Sequence, residues 1–102
     1  MIYHVQAKFR EETAGEFLKK LSDGSIRDQT PDGSEMYASM DRAVVNAQGL
    51  IEWSEMCFCT PPLKHERETV LDQHFDEIVT TPTNEITIYE GRSFNEYLRS
   101  LV

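Results

Sequence analysis

The chain has 102 residues, 39% of them apolar and 27% charged, which is enough for one modest core and too little for two domains. Its 18 acidic residues against 10 basic ones leave a formal charge of −8, and no basic cluster stands out. A phosphate backbone or an anionic membrane surface is therefore repelled, and neither nucleic acid nor membrane is expected as a partner.

No apolar run approaches the ~20 residues of a membrane span, and the opening MIYHVQAKF alternates too early for a signal peptide. A cytoplasmic protein forming a single domain over residues 1–102 is expected, and two cysteines one residue apart agree with a reducing compartment.

From Ile2 to Phe9 the pattern has a period of two, with Tyr3, Val5, Ala7 and Phe9 on one side and His4, Gln6 and Lys8 on the other, which predicts a half-buried strand. Ala14, Phe17, Leu18 and Leu21 recur at helical spacing and predict a helix over Glu11 to Leu21, with Gly15 as a mild weakness. The following SDGSIRDQTPDGSE has the Gly and Pro chemistry of a loop, with a short helical piece around Ile26. Met36 to Val45 and Leu50 to Cys59 read as two antiparallel strands joined at Asn46-Ala47-Gln48-Gly49.

Thr60 and the two prolines after it open a second helix, whose stripe is Leu63, Val70, Leu71, His74, Phe75 and Ile78. His74 on that stripe is expected to be a core residue. Thr80 to Thr83 make a break, Glu85 to Tyr89 a short strand, and Ser93-Phe94-Asn95-Glu96 has the capping-box pattern that opens a last helix.

The order is β-α-β-β-α-β plus a terminal helix, the split βαβ arrangement. In this order, in its length and in the helical C-terminal extension, the chain resembles the ferredoxin-like, dimeric α/β-barrel group. The resemblance implies an α+β sandwich, with an antiparallel four-stranded sheet carrying helices on one face and two copies pairing sheet to sheet. Functions in that group run from cofactor-independent oxygenases and isomerases to members with no known activity.

Residues two apart on a strand stand ~6.5 to 7 Å apart, too far for a disulfide or a shared zinc. Cys57 and Cys59 are therefore two small buried thiols near a strand end, with no metal; redox sensing by Cys59 near the second helix is the sharper alternative. His4, Gln6 and Lys8 are either a solvated or dimer-contact face, or the lining of an enclosed space where His4 acts as acid or base. Glu55 beside Trp53 needs a partner if buried: Arg42 on the neighbouring strand, or a ligand in a pocket walled by His4, Gln6, Trp53 and Glu55.

The expected function is a non-catalytic homodimeric binding or interaction module, possessing no cofactor, with room for a small-molecule ligand. The alternative is a small cofactor-independent enzyme acting on an apolar metabolite, with His4 and Glu55 as candidate catalytic groups.

Overall fold

The period of two in the first segment is realised as strand β1 (Ile2–Phe9), with Tyr3, Val5, Ala7 and Phe9 buried. The structure is a computed structural model describing residues 1–102. Four further strands follow, β2 (Val44–Val45), β3 (Ile51–Met56), β4 (Phe75–Thr83) and β5 (Arg92–Ser93). The helices are α1 (Ala14–Ser22), α2 (Gly33–Arg42), α3 (residues 64–74) and α4 (Phe94–Ser100). The middle of α3, Arg67–Leu71, has π-helical bonding. The strands form one antiparallel sheet of order β4-β1-β3-β2-β5, so the fold is α+β with five strands rather than the expected four. No helix is long and apolar enough to cross a membrane.

Register fixes which side chains share a face. Val5 stands opposite Trp53, Ala7 opposite Ile51 and Tyr3 opposite Glu55, so all six point the same way. On that side Phe17 of α1, Met36 and Met40 of α2, Leu71 of α3, and Phe94 and Leu98 of α4 complete a core of 20 buried residues. The rings of Phe9, Phe17, Phe75 and Phe94 meet with centroids 5.2 to 6.2 Å apart, and burying each ring contributes about 1.5–3 kcal/mol.

Three expectations are corrected. Residues 36–42 are helical, because Met36 and Met40 bury one face at a spacing of four while Gly33 lets the start of the helix press on the preceding loop. A Cβ on Gly33 would stand 2.1 Å from the Ile26 carbonyl oxygen. Of the expected hairpin, the Val44-Val45 half pairs with Glu52 and Ile51 across the Asn46–Gly49 turn.

The second helix ends at His74 and not at Ile78. Arg10 stops it: its backbone N–H donates to the His74 carbonyl at 2.8 Å, and its guanidinium donates to the carbonyls of Asp72 at 2.8 Å and Gln73 at 3.2 Å. The β-branched run after it then forms β4 at the sheet edge, where Pro82 is tolerated.

Residues 85–89 are therefore not the fourth strand. The segment 84–91 crosses the helix-free face instead. There Thr87 donates its N–H to Ser54 Oγ at 2.8 Å and accepts from it at 3.0 Å, and the Tyr89 ring lies 4.7 Å from the His4 ring. The terminal capping box forms as expected, with Ser93 Oγ accepting from the Glu96 N–H.

Candidate functional site: a buried carboxyl pair beside two thiols

Strand β3 ends at Met56, whose N–H donates to Glu35 Oε2 of α2 at 2.9 Å. Beyond it the chain leaves the sheet, passes through Leu63 in the left-handed region at φ 62°, and enters α3. Both cysteines lie on this irregular stretch, and the expectation that a continuing strand holds them apart is overturned. The Cys57 sulfur accepts from the N–H of Cys59 at 3.3 Å and of Leu63 at 3.4 Å. Burial pushes the Cys57 thiol up, against the pull of these N–H groups. Both cysteines are free.

The first turn of α3 carries Glu66 inward to Glu55 of β3. Both are almost wholly buried, at 1% and 0% exposure. The Trp53 indole N–H donates to Glu55 Oε1 at 2.7 Å, and the carboxyls of Glu55 and Glu66 are hydrogen-bonded to each other. Glu55 Oε2 and Glu66 Oε1 have no N–H or O–H donor from elsewhere in the chain. One proton shared between the carboxyls would satisfy both oxygens.

Burial pushes both groups up, Glu66 to about 11, with its contact to Glu55 adding to the shift. For Glu55 the bonds from Glu66 and Trp53 offset part of the rise. The pair thus keeps a proton at neutral pH.

Glu66, Cys57 and Cys59 border a cavity of about 310 Å³, with Pro31, Met56 and Phe58 as apolar wall. Its two other carboxylates are already engaged. Asp32 Oδ2 lies 2.7 Å from His65 Nδ1 and its Oδ1 accepts from Gln29, while Glu35 accepts from Arg42 at 3.3 Å and from Met56. Two other depressions, of about 330 and 340 Å³, border no buried ionisable group. No group of three or more His, Cys, Asp or Glu side chains is arranged to hold a metal ion.

The sequence-predicted site residues fall into two separate places. His4 and Gln6 lie on the helix-free face, where His4 Nε2 is 2.6 Å from Glu52 Oε2 and Gln6 donates to the same oxygen at 3.2 Å. Partial burial pushes Glu52 up, but the bonds from His4, Asn46 and Gln6 outweigh it and hold the carboxyl below its ordinary range. Trp53 and Glu55 lie in the core on the other side of the sheet, so the sheet divides the four residues expected around one pocket. Arg42 bonds to Glu35 and to the Ser54 carbonyl at 2.8 Å rather than to Glu55.

Glu66 escaped the sequence reading, although a signal was present. It falls on the α3 stripe three residues after Leu63 and four before Val70, where a carboxylate needs a reason to be. Comparisons with protein-family models, with curated proteins and with solved structures found no match.

Proposed function

We propose that the chain is a small binding module of ferredoxin-like topology whose ligand occupies the cavity at the end of β3. The order β4-β1-β3-β2 supports the topology, with β5 as a two-residue addition at the β2 edge. Glu66 carries the ligand reading: it is buried, borders the cavity, and accepts no hydrogen bond from any N–H of the chain. With Oε1 turned to Glu55, Oε2 is the acceptor left for a ligand.

The fitting ligand carries a hydroxyl, amide or ammonium donor on an apolar body. Asp32 and Glu35 at the rim favour a neutral or cationic molecule over an anion, and Pro31, Met56 and Phe58 cover its apolar part. A fragment screen on ¹⁵N-labelled protein tests this. Donor-bearing neutral or cationic fragments are expected to shift the amides of Cys57, Cys59 and Glu66, and Glu66→Leu is expected to abolish the shifts. Hits confined to the His4 and Gln6 face, or a preference for anions, would refute the assignment.

Pairing with a second copy is part of the proposal. On the helix-free face and the segment crossing it, Val79, Ile86 and Ile88 are 58%, 40% and 71% exposed, and a second copy offers the same apolar side chains in return. Light scattering at micromolar protein is expected to give a dimer, and a monomer removes this part.

The Glu55–Glu66 proton favours a second reading, a cofactor-independent enzyme that uses the pair as acid and base on an apolar metabolite in this cavity. Turnover lost in Glu66→Gln with binding retained would select it.

A further inference from the structure

We propose that Cys57 and Cys59 are a redox-active dithiol that exchanges with small disulfides entering the cavity at the end of β3. Exchange needs the sulfurs to come within bonding reach, and a continuing strand would forbid it. The strand stops at Met56, and the chain turns so that the Cys59 backbone nitrogen lies 3.3 Å from the Cys57 sulfur. The turn folds residue 59 back onto the sulfur it would join.

The two thiols are unequal in the way exchange requires. Cys59 is half-buried on the cavity wall, while Cys57 is 5% exposed and held by two N–H donors, the second from Leu63 at the start of α3. Cys59 is thus the attacking sulfur and Cys57 the resolving one. Phe58 between them is 83% exposed beside Met56, an apolar bed for the substrate at the cavity mouth.

The reaction balances with a low-molecular-weight disulfide, RS–SR, as oxidant. The Cys59 thiolate attacks one sulfur of RS–SR, forming a mixed disulfide, and the first RS⁻ leaves and takes up the proton that Cys59 gave to water. The Cys57 sulfur then attacks Cys59 Sγ, the Cys57–Cys59 bond forms, and the second RS⁻ leaves. The proton of Cys57 passes to water in the cavity that Cys57 and Cys59 border, and from there to the departing thiolate. The substrate disulfide is reduced to two thiols, and the protein dithiol is oxidised. A ring closed by one intervening residue is strained and readily reduced, so the exchange runs in both directions.

This activity goes beyond the binding reading and stands without it, because oxidation of the pair needs no other ligand. The test is a redox titration of the wild-type protein with oxidised and reduced glutathione, quenched in acid, labelled with maleimide and weighed. Both thiols are expected to disappear together, with the loss of two hydrogens and no intermolecular product, at least about tenfold faster than in the urea-unfolded chain.

Cys57→Ser is expected to accumulate a glutathione adduct on Cys59, and Cys59→Ser to leave Cys57 unreacted. Two free thiols at about hundredfold excess of oxidised glutathione, or only single adducts on the wild type, would overturn the dithiol itself.

Discussion

Glu55 of β3 and Glu66 of α3 meet carboxyl to carboxyl in the protein interior, with Trp53 donating to the first of them. Both folded-state pKa values lie above those of the unfolded chain. At a pH below both values the pair costs the fold nothing. As pH rises, the unfolded carboxylates ionise while the folded pair keeps its proton, so stability is expected to fall through neutrality. The slope is about 1.4 kcal/mol per pH unit for each proton retained. Urea midpoints at about pH 6.5, 7.5 and 8.5 should show it, and Glu66→Gln, which still donates toward Glu55 but cannot ionise, should flatten it.

His74 bends the same curve from the acid side. It is fully buried; Lys20 donates to its Nε2 at 3.0 Å, and its Nδ1–H donates to Thr13 Oγ1 at 2.9 Å. Burial, with the Lys20 charge adding, pushes it down to about 4. The unfolded chain takes up this proton near pH 6.5 and the folded chain does not until near 4, so the contribution is complete above 6.5. About 3 kcal/mol is lost on acidification between the two values. Histidine NMR should find His74 still neutral at about pH 5.

Two glycines should respond to alanine in opposite directions. At Gly33 the new Cβ meets the Ile26 and Arg27 carbonyl oxygens at 2.1 and 2.9 Å, and Gly33→Ala is expected to cost about 1–3 kcal/mol. At Gly15, inside α1, the nearest atom is the exposed Val102 side chain at 3.3 Å, which can move. Gly15→Ala is expected to stabilise by about 0.4–1 kcal/mol. Thermal unfolding of both variants checks the pair.

Ser54 is fully buried on the helix-free face because Thr87 sits over it, bonded through both its N–H and its carbonyl. Ser54→Ala removes both bonds at once. Hydrogen exchange at the Thr87 amide is expected to accelerate in this variant while exchange in β1 stays slow, since the β1 ladder rests on β3 and β4.

Much of the fold could be read from local pattern. The alternation of Ile2–Phe9, the spacing of Ala14, Phe17 and Leu21, and the Ser93–Glu96 cap all appear where expected, because each is decided by neighbours within one or two turns. What failed was decided at a distance. Residues 36–42 offered mixed signals that packing on the loop at Ile26 resolved toward helix, and the stop at His74 depends on Arg10, remote in sequence.

The site followed the same division. Glu55 was visible as a carboxylate among apolar neighbours, but its partner lies on another element, and the cysteines were misread because the end of β3 is fixed by Glu35 and the loop beyond. Alternation placed His4 on the face opposite the core. It could not say which parity of residues 50–59 met the helices, and Trp53 and Glu55 proved to be on the core side.

Infrared spectroscopy of the carboxyl stretch across pH reads the Glu55–Glu66 proton most directly. A protonated carboxyl band is expected to persist at neutral pH in the native protein and to vanish in Glu66→Gln and on unfolding. Loss of every such band by about pH 6, as ordinary carboxyls titrate, would contradict the shared proton and the site built on it.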